Sequence, residues 1–288
     1  MGLKLDREAR SGLLLVGPTA IYAALMLAAP LFMIVTFSFW TQNYLDIDRT
    51  LTLANYRTAW SEPIYRVLMV RSLVISLIVT AVTVLLAFPI AYFLSFHVTR
   101  RKPLWLFLIT VPFWTSYLIR VFLWKVILGF NGVLNTALLD LGLIDAPLTF
   151  ILYNTNAVVL TLAHAWAAFA ILPIFVALEK IDRSLLEAAE DLGDGPLRRF
   201  LRITLPLAMP GVVGATLIVL IPTMGDFITP RLVGGTEGMM IANMIQVQFG
   251  RANNAPLGAA LAVSAMLVVG VVSLVIYLAG RKFGGRVR

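Results

Sequence analysis

From Leu13 to Phe39 the chain runs without a single Asp, Glu, Lys or Arg, and comparable apolar stretches recur at about 72–96, 104–127, 156–178, 207–225 and 256–280. A helix needs about 20 mostly apolar residues to cross the ~30 Å hydrocarbon core of a bilayer, and there it must satisfy every backbone N–H and C=O internally. The stretches at 72–96, 156–178 and 256–280 are as free of charge as the first. The third carries Arg120 and Lys125 near one end, and the fifth is short and holds Pro210 and Pro222. These segments predict an all-α integral membrane protein with six transmembrane helices, forming a single membrane domain over residues 1–288. Composition agrees: 60% of residues are hydrophobic and 13% charged, against roughly 45–50% and 25% in soluble domains. The opening run exceeds the roughly 7–15-residue core of a secretory signal, so it reads as an uncleaved first span, with a cleaved signal peptide as the alternative.

The net charge of +8 and a pI near 10.0 would suit a nucleic-acid binder, but the positions of the charges point elsewhere. Lys4, Arg7 and Arg10 precede the first span. Arg100, Arg101 and Lys102 follow the second; Lys180, Arg183, Arg198, Arg199 and Arg202 follow the fourth; Arg281, Lys282, Arg286 and Arg288 follow the sixth. The loop at 129–149 has no Lys or Arg and contains Asp140 and Asp145. Lys and Arg collect in cytoplasmic loops, so both termini are expected in the cytoplasm of a multi-pass protein surrounded by lipid, with no nucleic-acid partner. There is no cysteine, and His97 and His164 are the only histidines; disulfides, Cys-ligated metals and His-rich metal sites are excluded. Residues 51–60 alternate apolar and polar side chains at roughly helical spacing and read as an interfacial helix anchored by Tyr56 and Trp60.

The one sizeable polar segment on the cytoplasmic side, 179–206, reads EKIDRSLLEAAEDLGDGPLRRFLRITLP. Ser184 followed three residues later by Glu187 is a capping box. Gly193 suits the left-handed residue that ends a helix, and Asp194 or Gly195 caps a second helix whose first position is Pro196. That second helix would carry Arg198, Arg199 and Arg202 on a polar side and Leu197, Phe200 and Leu201 on an apolar side, with Pro206 closing it before the membrane. Taken alone, this is an ordinary amphipathic loop of helix–Gly–helix form.

Its residues carry more. Glu187, Ala188, Ala189, Gly193, Ile203, Leu205 and Pro206 reproduce the pattern EAA-x3-G-x9-I-x-LP. This resembles the EAA loop of ABC importer permeases, and it lies between the fourth and fifth spans. The resemblance implies a type I ABC importer permease fold. It implies that the loop is a coupling helix seated on an ATP-binding subunit, whose closing motion it carries into the membrane. Small Ala188 and Ala189 would allow a partner surface to come close. Glu187 would offer its carboxylate to a partner Arg or to backbone amides, unless Ser184 takes it. Departures are Gly195, where small polar residues are usual, and the acidic pair Glu190 and Asp191.

Three further stretches, Val111–Arg120 (VPFWTSYLIR), Gly129–Asn135 (GFNGVLN) and Pro222–Asp226 with Leu232–Gly235, look like the polyamine-type branch of that family. Spermidine/putrescine permeases belong there, as do relatives for ferric iron, thiosulfate and other small solutes, zwitterions included. The implied protein is a transport subunit and not an enzyme. It would bind no cofactor or metal of its own, ATP and magnesium residing on a homodimer of ATPase subunits. A second homologous permease, expected to form a heterodimer with this chain, and a periplasmic or extracellular solute-binding protein would complete the complex in a bacterial inner membrane.

Asp226, beside Pro222 and Gly225, is either a carboxylate for an ammonium group or the interfacial cap of a broken helix. Trp114, Tyr117 and Arg120 fall on one helical face at i, i+3 and i+6. They would hold alkyl and ammonium groups, or else form an aromatic belt with a snorkelling Arg; Arg120 alternatively pairs with Asp226. His164 either serves a proton relay or, the plainer reading, bonds a neighbouring helix. Gly211, Gly214 and Ala215, with Ala163 and Ala167, are small residues for close helix packing. A stand-alone ion-coupled transporter would show inverted repeats and ionisable groups in broken spans; no repeat is visible, and an ATPase-coupling motif has no task there.

Overall fold

The computed structural model describes residues 7–44 and 46–284; Lys4, Arg286 and Arg288 lie outside them. Among the described residues, six helices are long and apolar enough to span a membrane: Leu15–Ser38, Pro63–Phe96, Tyr117–Asp140, Thr155–Glu179, Pro196–Met224 and Ala255–Phe283. The chain forms two units, one of residues 1–62 with 247–264 and one of 63–246 with 265–288.

In the first unit, α1 (Arg7–Ser38) leads into a hairpin of β1 (Thr41–Asn43) and β2 (Asp46–Asp48) and then into α2 (Ala54–Ser61). The apolar side chains of α1 are exposed from Leu15 to Met33, as a lipid-facing helix requires. Its last carbonyls find donors on the interfacial helix predicted at 51–60. Asn55 Nδ2 donates to Ser38 O (3.2 Å) and Trp40 O (2.6 Å), and Tyr56 Oη pairs with Ser38 Oγ (2.7 Å). Tyr56 is thus tied to the end of α1, whereas Trp60 is half exposed. In the segment from Val247, Asn254 Oδ1 accepts from Leu257 N (3.1 Å) and starts the last helix.

The second unit is built on three helices: α3 (Pro63–Phe96), α7 (Thr155–Glu179) and α10 (Leu205–Met224). Their shared core contains Val79, Ala91 and Leu94, then Val158, Leu162 and Ile174, then Ala208, Ala215 and Val219. Gly211 shows how close α10 comes to α7: a Cβ there would lie 2.5 Å from both Ala177 Cβ and Pro173 O. Three buried hydroxyls on α3 return to the carbonyl one turn back, Ser72 to Leu68 O (2.7 Å), Thr80 to Ser76 O (2.7 Å) and Thr83 to Val79 O (2.6 Å), which satisfies them without water.

The third apolar stretch departs from expectation. Residues 104–127 do not form one helix. α4 (Lys102–Thr110) passes into a 3₁₀ turn (Val111–Trp114), the chain extends at Thr115 and Ser116, and α5 (Tyr117–Leu128) begins afresh. Pro112 supplies no N–H to the ladder and favours the break. α6 (Val133–Asp140) continues from α5, and Asn135 fastens the connection by donating to Gly129 O (3.2 Å) and accepting from Leu148 N (2.9 Å). After α7 come α8 (Arg183–Asp191) and α9 (Pro196–Arg199), and after α10 come α11 (Ile228–Val233), α12 (Ile241–Phe249) and α13 (Ala255–Gly284).

Candidate functional site

Two places gather the residues singled out in the sequence. The first is the loop at 179–206. α8 starts one residue before Ser184. Its cap is Asp182, whose carboxylate accepts from Ser184 N (3.0 Å) and is held below the usual carboxylate range by that bond. The expected capping box is therefore absent: an Asp two residues upstream already serves the helix start. Glu187, exposed, makes no hydrogen bond or ion pair among the described contacts.

The other end of α8 is as expected. Gly193 has φ +83°. Its N–H bonds Glu190 O (2.9 Å), and Asp194 N bonds Ala189 O (2.9 Å). This pair of reversed bonds is the Schellman close of a helix. Of the two acidic residues that depart from the pattern, Glu190 braces the hinge by pairing with Arg199, and Asp194 is reached by Arg198 and Arg202 at 3.6 and 3.5 Å.

Pro206 does not close the second helix. α9 continues through a π-helical segment, Phe200–Thr204, into α10. Leu205 N returns to Phe200 O, so the register has widened by one residue just before Pro206, which has no N–H to return. Of the apolar side, Phe200 packs edge-on against Phe88 (5.6 Å) of α3. Leu197 and Leu201 instead stay exposed, as do Leu185, Ala188 and Leu192 on α8, while Ala189 is buried. Arg183 Nη2 and Lys102 Nζ both donate to Ser95 O (3.4 and 3.1 Å), and Lys102 also pairs with Glu179 (2.6 Å). The start of α8 is thereby tied to the ends of α3 and α7. A cavity of about 260 Å³ lies beneath the loop, with Glu187, Glu190, Arg199, Tyr92, His97 and Phe200 in its wall.

The second place is a cavity of about 390 Å³ among the apolar helices, lined by Phe113, Thr115, Tyr117, Arg120, Ala165, Trp166, Phe169, Pro222 and Asp226. Tyr117, Arg120 and Asp226 all line it. Trp114 does not: it sits in the 3₁₀ turn, 74% exposed, because the break puts it out of phase with α5. The wall is completed by Phe113, Trp166 and Phe169, which the sequence did not single out. Their only signal was a density of aromatics beside an ionisable residue in a span.

Asp226 is 8% exposed. Its Oδ1 accepts from Ile228 N (2.8 Å) and Thr229 N (3.4 Å) at the start of α11, and its Oδ2 accepts from Tyr117 Oη (2.5 Å). It is therefore a cap on a broken helix that also borders the cavity. Arg120 does not snorkel and forms no ion pair with Asp226 among the described contacts. It is 8% exposed and donates to Phe113 O (3.1 Å), Thr115 O (3.1 Å) and Ala165 O (3.2 Å). His164 Nδ1 accepts from Trp124 Nε1 (3.0 Å), the interhelical bond expected of it. No group of three or more His, Cys, Asp or Glu capable of holding a metal occurs among the described residues.

Comparison with known proteins shows the family. Residues 21–288 match the family model described as binding-protein-dependent transport system inner membrane component. The spermidine/putrescine transport system permease protein PotB of Escherichia coli (strain K12) is 38% identical over 267 residues, covering 92% of this chain and 96% of that protein. Its counterpart in Haemophilus influenzae is 38% identical over 237 residues, 82% of each chain. A solved structure, a bacterial alginate ABC transporter in complex with an alginate pentasaccharide-bound periplasmic protein, superposes with a TM-score of 0.66 at 18% identity, covering 96% of both chains.

Proposed function

Since the chain belongs to the binding-protein-dependent transport system inner membrane components, we propose that it is the permease subunit of an ATP-driven importer for polyamines of the spermidine/putrescine class. The observation that carries the substrate class is the 38% identity, over nearly the whole of both chains, to a spermidine/putrescine permease. Chemistry in the cavity supports it. Aromatic faces and one carboxylate suit an alkyl chain bearing ammonium groups. Arg120, the cation that would otherwise attract an anionic solute, spends its two terminal nitrogens on three carbonyls, and its Nε is buried without a partner among the described residues.

The coupling residues act as follows in this reading. An ATP-binding subunit, dimeric and loaded with ATP and magnesium, receives α8 through its exposed Leu185, Ala188 and Leu192, with Glu187 offered to a partner Arg or amide. Gly193 and the Asp194 and Glu190 pairs fix the angle between α8 and the next helix, which carries Ile203, Leu205 and Pro206. From Pro196 to Met224 that helix is continuous for 29 residues, about 43 Å at 1.5 Å per residue. Pro222 in its last turn, and Asp226 just past its end, line the cavity. A displacement of the loop is thus delivered by one rod to the place where the solute passes. A second homologous permease completes the passage, a solute-binding protein delivers the solute, and the Lys and Arg distribution supports a cytoplasmic side for both termini.

The test is reconstitution. With its partner permease, ATPase and binding protein in proteoliposomes, this chain should support uptake of spermidine or putrescine that requires ATP and the binding protein. Uptake driven by an ion gradient without the ATPase, or no uptake of either amine, overturns the reading.

A further inference from the structure

We propose that Arg120 is a positioning residue of the passage: it staples the break between α4 and α5 to α7 and thereby holds the aromatic wall of the cavity that Asp226 also lines. The inference rests on the permease reading above, but its central measurement does not depend on transport.

The need for a staple follows from the break. Thr115 and Ser116 are extended (ψ 156° and 135°), so the carbonyls of Phe113 and Thr115 lack the helical donor four residues on. In an apolar zone such carbonyls must find another partner. Arg120 Nη2 serves both, and Nη1 reaches across to Ala165 O on α7. The guanidinium also lies 4.8 Å from the centre of the Phe113 ring. One planar group therefore joins both sides of the break and the neighbouring helix. Ala165 immediately precedes Trp166, and Phe113, Thr115 and Tyr117 flank the other anchor points, so every stapled carbonyl belongs to or adjoins a residue of the cavity wall.

The rigid fork of Arg is what the arrangement uses. A lysine ammonium keeps the charge, but it is a compact donor on a flexible stem and cannot hold three carbonyls in a fixed plane over a ring. Charge alone therefore does not account for the residue. A guanidinium buried to this degree with no acidic partner among the described ion pairs is expensive to keep, and the bridging geometry supplies its reason.

The chain contains no cysteine, so Thr115→Cys places one reporter thiol at the break. Its modification by a small water-soluble methanethiosulfonate is followed on this subunit by mass spectrometry, in the full complex in nanodiscs, with Arg120 present or replaced by Lys or Gln. Both replacements should assemble and keep basal ATP hydrolysis. Both should change the labelling rate about fivefold or more and raise half-saturating solute about tenfold, with a smaller effect on maximal uptake. Lys should not rescue. If Lys or Gln leaves labelling and half-saturation at the parent values, or if Lys restores both, the staple is wrong. Should neither variant assemble, Phe113→Leu removes the ring beneath the guanidinium and leaves the carbonyl bonds; a shift in labelling supports the proposal, and unchanged labelling overturns it. A complex that shows the labelling contrast but takes up no polyamine refutes the permease reading and leaves the staple standing.

Discussion

Gly193 offers a measurement in which geometry alone sets the outcome. A Cβ built there meets nothing within 4 Å, so no clash with a neighbour enters; what remains is its φ of +83°. An L-residue held in the left-handed region costs roughly 1–2 kcal/mol, Asn less because its side chain bonds locally, and a β-branched residue more. A cost of 1–2 kcal/mol lowers the population of the native hinge by a factor of about 5–30. Escape to negative φ would break the Gly193–Glu190 and Asp194–Ala189 bonds and withdraw Asp194 from Arg198 and Arg202. These exposed ion pairs add only about 0–1 kcal/mol each, so the conformational term decides. Binding-protein-stimulated ATP hydrolysis and uptake should therefore fall in the order Gly, Asn, Ala, Val at position 193, with insertion and expression unchanged. If Gly193→Val couples as well as Gly193→Asn, the left-handed hinge plays no part in transmission.

Asp226→Asn should keep the cap, because the amide oxygen can still accept from Ile228 N and the amide nitrogen can donate to Tyr117 Oη. Reduced polyamine uptake in an assembled complex with normal basal ATPase activity is expected; unchanged uptake would remove Asp226 from the passage. Gly211→Leu should destabilise the helical core by overpacking, about 1–3 kcal/mol, read as a lower melting temperature of the detergent-solubilised chain. Gly214→Ala, where the nearest atom is 3.9 Å away, should be tolerated; equal effects at the two positions would contradict the α7–α10 packing. Reporter fusions after Pro103 and Gly195 should give cytoplasmic signals and one after Asp140 a periplasmic signal, and inversion at Gly195 would turn the coupling loop away from ATP.

The sequence alone determined the membrane class and the number of spans, because solvation by lipid acts on each segment separately and leaves uninterrupted apolar runs. It also located the hinge: only a left-handed closing residue explains Gly193 at that spacing, and the EAA pattern named its neighbours. It misjudged what depends on competition between local backbone solutions and on partners distant in the chain. Ser184 and Glu187 had the spacing of a capping box, yet Asp182 took the role, since two local solutions compete for the same N–H groups. Pro206 looked like a stop until a π-helical register shift absorbed it into α10. Apolar character could not reveal that the third apolar stretch is broken and that the span begins only at Tyr117, because hydropathy sums over residues while continuity depends on individual backbone bonds. Arg120 could be read as snorkelling, paired or catching an anion, and its fate was settled by carbonyls at Phe113, Thr115 and Ala165. Those three come together only when α5 packs beside α7, 45 residues away for the last of them; a buried charge answers to whatever surrounds it in space, which its own segment of sequence does not encode.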